Sequence, residues 1–213
     1  MSKTLKRSKI SYTLHINDLP DGLDFGSSIA IDTETLGLKP HRDRLCVIQL
    51  SSGDGTAHLV KFNNELNYQA PNLKKLLNNP DIQKIFHFAR FDVAVIKHYL
   101  AVDMQNIFCT KIASRLTRTY TDYHGLKDIC SELLGVSISK AKQCSNWASA
   151  DLSDAQLAYA AQDVLFLHDL KHQLLANLES LNRLEIAQQC FDFLTTRANL
   201  DLIGFEHLDI FAH

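Results

Sequence analysis

The sequence predicts an α/β domain built on a mixed sheet. Strand-like segments are concentrated before residue 61, and after them short apolar strands alternate with helix-period segments. No repeat, low-complexity tract or clear linker interrupts the chain, so residues 1–213 are expected to form one domain. That length allows a sizeable core.

The elements follow in order. Lys3, Lys6, Arg7 and Lys9 make a flexible basic start. Residues 10–16 alternate apolar and polar side chains and predict an edge strand. Pro20, Asp21-Gly22 and Gly26 make 18–26 a loop. Residues 27–31 are small or β-branched and predict a buried strand that runs into Asp32 and Glu34. Residues 45–50 predict a second strand and 56–60 a third, joined as a hairpin through Ser51-Ser52-Gly53-Asp54-Gly55. Three antiparallel strands therefore open the domain. Next come a short helix over 72–78, a strand over 84–87, a helix over 89–100, a strand at 107–109 and a helix over 110–116. Residues 123–134 predict a helix stopped by Gly135. Residues 137–149 are polar and hold Trp147. A long amphipathic helix is expected over 152–175, with Ser153 and Gln156 as its capping box, and a last helix over 179–198.

Composition narrows the function. With 46% hydrophobic and 22% charged residues, the chain resembles an ordinary soluble protein. A net charge of −2 argues against gripping long nucleic acid through its phosphates. It leaves room for a short nucleotide held by a few placed cations. Cys46, Cys109, Cys130, Cys144 and Cys190 are odd in number and form no Cys-x-x-Cys, which predicts reduced thiols in a cytoplasmic protein. No apolar run follows the basic start or is long enough to cross a membrane, so neither a secretory signal nor a membrane partner is expected.

The acids carry the chemistry. Strand side chains alternate, so Asp32 and Glu34 share a face. Two adjacent carboxylates repel and lose water, a cost best offset by an oxygen-ligated divalent cation such as Mg²⁺ or Mn²⁺. Alone, the pair also reads as solvated acids in a loop. Asp92 lies early in the helix after strand 84–87, and Asp163 follows Tyr159 by four residues, on one helix face. Both aspartates have apolar neighbours: Phe91, Val93 and Ala94 for one, Ala160, Ala161, Val164 and Leu165 for the other. Singly, each also reads as a surface acid of an amphipathic helix.

Together, Asp32-x-Glu34, Asp92 and Tyr159-x-x-x-Asp163 resemble the DEDD superfamily of 3′→5′ exonucleases, in the tyrosine variant that includes ribonuclease D. Further stretches resemble it in order: Ile85-Phe86-His87-Phe88-Ala89-Arg90-Phe91-Asp92, His124-Gly125-Leu126-Lys127, Leu133-Leu134-Gly135 and Lys142-Gln143-Cys144-Ser145-Asn146-Trp147. The resemblance covers about 27–175 and leaves a C-terminal helix and apolar tail over 176–213. Asp32 to Leu38, His41 to Cys46, and Gln49-Leu50-Ser51 with Gly53-Asp54-Gly55 are similar to the nano-RNase C branch, whose members degrade RNA as short as dinucleotides. By this resemblance the chain is expected to end near the end of a catalytic domain, without the helical nucleic-acid-binding domains of ribonuclease D proper.

The resemblance implies a ribonuclease H-like sheet, three antiparallel strands then parallel ones, flanked by helices. It implies that Asp32, Glu34, Asp92 and Asp163 hold two Mg²⁺ or Mn²⁺ ions about 3.5–4 Å apart, which prepare a water and steady the leaving 3′ oxygen. Tyr159 would orient that water and help accept its proton, and the products would be 5′-monophosphates. The expected substrate contacts are Thr33, Leu36, His124, Leu126, Lys140, Lys142, Gln143 and Ser145. Leu36 either wedges between the two bases of a dinucleotide or packs in the core. His124 and Leu126 meet sugar or base. Lys140, Lys142, Gln143 and Ser145 either take the 5′ phosphate or form a solvated loop. Arg42 and Arg44 either pair with Asp43 or serve a subunit contact, and His87 packs under the site. Leu202, Ile203, Phe205, Leu208, Ile210 and Phe211 make the tail too apolar to stay in water. It covers its own domain or joins subunits, and the resemblance implies a homo-oligomer, an octamer. Competing readings are trimming of longer RNA, DNA exonuclease activity, and a scaffold that has lost its metals.

Overall fold

A computed structural model describes residues 10–63, 68–138 and 145–213. The basic start therefore lies outside the described residues. The strands are β1 (Ser11–Ile16), β2 (Ser28–Thr35), β3 (Leu45–Ser51), β4 (Thr56–Lys61), β5 (Gln83–Phe86) and β6 (Ile107–Cys109). They form one sheet in the order β1-β4-β3-β2-β5-β6. β2–β3 and β3–β4 are antiparallel, whereas β1–β4, β2–β5 and β5–β6 are parallel. The mixed sheet with its antiparallel hairpin is present as expected, and β1 lies at an edge. All of β3 is buried, which its Leu-Cys-Val-Ile run allows because helices cover both faces.

The helices are α1 (Pro71–Asn78), α2 (Ala89–Leu100), α3 (Thr110–Thr117), α4 (Leu126–Ile129), α5 (Asp154–Leu165), α6 (Leu167–Ser180), α7 (Leu184–Asp192) and α8 (Leu194–Leu200). Ser153 caps α5 in the expected box with Gln156. α5 lies across β1 to β4, while α6 packs on α3 and a π-helical turn at Cys130–Leu134. No helix among the described residues is long and apolar enough to cross a membrane.

Three helix expectations are corrected. The helix expected over 123–134 begins only at Leu126 and ends in the π turn. Buried Arg118 holds the Tyr123 carbonyl (2.8 Å) and keeps the preceding residues in a loop. Gly135, at φ 67, stops the helix as expected. The helix expected over 152–175 breaks at Phe166. No Gly or Pro marks that break. It is fixed from outside, where His168 Nε2 meets Ser28 Oγ (3.1 Å) and the ring lies against Gly53. A Cβ on Gly53 would stand 2.8 Å from that ring, so only glycine admits it. The helix expected over 179–198 starts at Leu184, after Asn182 turns the chain at φ 52, and breaks at Phe193.

Candidate active site

The acids meet at the C-terminal end of β2. Asp32 and Glu34 face α5, which brings Asp163 down onto them. Carboxylate oxygens of Asp32, Glu34 and Asp163 all lie within 4.8 Å of one another. Thr33, one residue between, points to the opposite face. Its hydroxyl donates to Asp92 Oδ1 (2.6 Å) in the first turn of α2; Asp92 lies outside the 4.8 Å cluster but close enough to Asp32 to feel its charge. Asp92 is 3% exposed. The period-two alternation thus splits the strand end: even positions join α5, and Thr33 anchors the acid of α2.

The electrostatics show strain. Burial pushes the Asp32 carboxyl up to about 7, against the opposing pull of a backbone N–H bond from Thr33. Asp92 is raised well above the usual range, first by burial and then by the charge of Asp32, while Thr33 pulls it down. Asp163 is raised likewise, by burial and then by Asp32, with its hydrogen bond from Tyr159 opposing. Asp32 is therefore the common neighbour that links the group. The Tyr159 phenol is also raised, by burial first and then by Asp163, Glu34 and Asp32. Among the described residues no ion pair reaches Asp32, Asp92 or Asp163. Among the described residues the donor set is oxygen only, with no thiolate or imidazole in the cluster. That chemistry fits a hard divalent cation such as Mg²⁺ or Mn²⁺.

The other expected residues fall in several places. Leu36 stands just beyond β2 and is 50% exposed, so it is not a core leucine. Its loop is closed by Asp43, which accepts from the Lys39 N–H (2.9 Å) and from Arg42 Nε (2.6 Å). Gly37 lies so close that a Cβ there would be 2.2 Å from the Asp43 carboxylate. Arg42 thus pairs with Asp43, while Arg44 donates to the carbonyls of Phe62 (2.9 Å) and Asn63 (2.8 Å). The hydroxyl of Thr33, a residue expected at the substrate, donates to Asp92. His124 is half-buried with Nδ1 2.9 Å from Ser114 Oγ, Leu126 opens α4, and Ser145 is half-buried. Lys140, Lys142 and Gln143 lie outside the described residues. His87 packs at the end of β5, its Nδ1 2.9 Å from Thr110 Oγ1.

Two supports escape sequence reasoning. Arg118, 2% exposed, ties Glu132, Ser114 and the Tyr123 carbonyl together and so fixes the loop that carries His124. Nothing in its local sequence distinguishes it from a surface arginine. Gly37 is visible as a glycine after the acids, but its closeness to Asp43 exists only in the folded loop.

A sheet of this order with carboxylates on β2, α2 and α5 defines an acid-centred nuclease site. A family described as 3′-5′ exonuclease matches residues 15–179, and the chain belongs to it, as a DEDD-type exonuclease of the nano-RNase C kind. DEDD exonucleases use divalent metals. The chain is similar to Brucella melitensis NrnC. It is 56% identical to the Mg²⁺-bound form, with a TM-score of 0.91, covering 95% of this chain and 99% of that one. It is 57% identical to the form bound to pGG, with a TM-score of 0.92, covering 96% and 99%. It is also 32% identical to ribonuclease D of Gluconacetobacter diazotrophicus over 157 residues, 74% of this chain. The chain spans only 39% of that relative's length.

Proposed function

We propose that the protein is a 3′-5′ exoribonuclease that hydrolyses very short RNA, dinucleotides above all, to nucleoside 5′-monophosphates. The observation that carries the reading is the convergence of Asp32, Glu34 and Asp163 within 4.8 Å, with no ion pair to either aspartate among the described residues. The short substrate is supported by likeness over nearly the whole chain to an NrnC bound to pGG.

Asp32, Glu34, Asp92 and Asp163 would hold two Mg²⁺ or Mn²⁺ ions, which supply charge neutralisation at the phosphate and acidify the attacking water. Asp32 is the natural shared ligand, since its charge acts on both Asp92 and Asp163. Tyr159 orients the water through its hydroxyl and, with the metals bound to offset the acids that raise its phenol, would help accept the water's proton. Thr33 contacts the substrate, and its hydroxyl also holds Asp92 in place. Leu36 parts the two bases, and its exposure supports that role. His124 and Leu126 meet sugar or base, while Lys140, Lys142, Gln143 and Ser145 take the 5′ phosphate and so measure substrate length.

The chain self-associates, by resemblance into an octamer. Its tail supports this: Arg90 and Arg197 hold the Glu206 and Phe205 carbonyls to the tail's own domain, yet Ile203 is 69% and Phe211 77% exposed in the single chain. Only a monomer mass in solution would overturn that assembly. A cytoplasmic setting is supported by Cys46, Cys109, Cys130 and Cys190, none of which forms a disulfide.

The deciding experiment is digestion of 5′-phosphorylated RNAs two to ten residues long with Mg²⁺. A strong preference for the dinucleotide is expected. Equal or faster cleavage of the longer RNAs would move the assignment to ribonuclease D-type trimming.

A further inference from the structure

A cavity of about 290 Å³ lies outside the acid cluster. Phe88, which follows β5, and Lys111, at the start of α3 after β6, form one wall. β2, β5 and β6 are parallel, so the cavity opens on the sheet edge that also carries Asp32 and Glu34. Phe193, between α7 and α8, and Arg197 of α8 close it. None of the four acids, nor Tyr159, lines it.

Its chemistry is one-sided. Arg90, Lys111, Arg115 and Arg197 line it, and no acidic residue among the described residues does. Arg90 and Arg197 are already bound to Asp201, each at 2.6 Å. Lys111 and Arg115 are one helical turn apart and have no ion pair among the described residues. Lys111 Nζ instead stands over the Phe88 ring, 4.2 Å from its centre. Burial, then the charge of Arg115, lowers the Lys111 pKa, so the pair gains from a dianion. Phe88 and Phe193 are both partly exposed and offer aromatic faces beside those charges. The volume sits at the small end for ligand pockets and suits one nucleotide, not a chain.

We propose that this pocket is a second nucleotide site that binds a nucleoside 5′-monophosphate, phosphate on Lys111 and Arg115 and base against Phe88 and Phe193. The choice of nucleotide over other aromatic phosphates rests on the proposed reaction, which releases that class of product on the same edge. Product held there stays close to the site that formed it.

The test is titration calorimetry of the full chain in EDTA, which keeps divalent cations away from the acid cluster. The probes are 5′-GMP, guanosine and inorganic phosphate. 5′-GMP is expected to bind, with guanosine and phosphate each about tenfold weaker or more. The double variant Lys111→Gln/Arg115→Gln should lose about tenfold or more in 5′-GMP affinity, while Asp163→Asn binds as the parent does. Phe88→Leu should weaken 5′-GMP but not phosphate. The proposal is overturned if the parent does not bind 5′-GMP, if phosphate alone binds as tightly, or if the double variant binds normally. It is also overturned if Asp163→Asn abolishes binding. Sedimentation gives one more refutation: a double variant that breaks up a parent oligomer makes this pocket a subunit contact. Failure of RNA digestion would leave the titration unaffected, so the two readings fail separately.

Discussion

Asp32 and Asp201 are both acids drawn into the protein, and they are treated in opposite ways. Asp201, 7% exposed, accepts three charged hydrogen bonds, two from Arg90 (2.6 and 2.8 Å) and one from Arg197 (2.6 Å). Glu132 is handled similarly: Arg118 and Tyr120 hold its carboxyl down to about 2. Asp32 has two raised acids as neighbours, Asp92 and Asp163, and no described arginine or lysine paired with it. A carboxylate that only braces the fold comes with its own cation, because a buried uncompensated charge costs several kcal/mol. A group of carboxylates left without one keeps a charge deficit that an external cation relieves. The fold therefore stores at β2 an instability it removes at α8.

The same substitution at the two places should act in opposite directions. Asp163→Asn is expected to lower turnover on the order of 10²–10³-fold or more and to raise the melting temperature of the metal-free protein. Asp201→Asn should lower stability by about 1–3 kcal/mol and leave dinucleotide cleavage intact. Paired melts and initial rates check both, and retained activity in Asp163→Asn would remove it from the site.

Next in size is a pH effect that belongs to the acid cluster alone. The folded protein binds a proton at Asp32 more tightly than the unfolded chain does, since the group rises from 3.8 to about 7. Its stabilising contribution is complete below about 4 and is lost as pH rises towards 7. Asp92 and Asp163 shift the same way. In EDTA, melting temperature should therefore fall between pH 5 and 8, and Mg²⁺ should cancel the fall at the upper end. A flat profile in EDTA would mean the acids are better solvated than they look.

Smaller effects sharpen the contrast between the acids and their supports. Thr33→Val removes the hydroxyl on Asp92 and should cost about 1 kcal/mol of stability with roughly tenfold in rate, read by melts and kcat. Gly37→Ala should disturb the Asp43 clasp and displace Leu36, raising KM for a dinucleotide about threefold with kcat nearly unchanged. A change in kcat alone would separate Leu36 from substrate binding.

Much of this protein is legible from residue order. Asp32 and Glu34 must share a face because a strand has period two, and Tyr159 and Asp163 must share one because a helix returns after four residues. The β3–β4 hairpin, the capping box at Ser153 and the stop at Gly135 are local too, since each depends on neighbours within a few residues. What chain order leaves open are matters settled between distant segments. Thr33 meets Asp92 across 59 residues, and His168 breaks a helix by reaching Ser28 across 140. Arg90 finds Asp201 across 111 residues, and the cations of α3 line one cavity with Phe193 from α8's border. Local periodicity holds no record of such meetings, because they form only when the folded sheet brings distant segments together. There, packing determines which acids receive a cation and which remain without one.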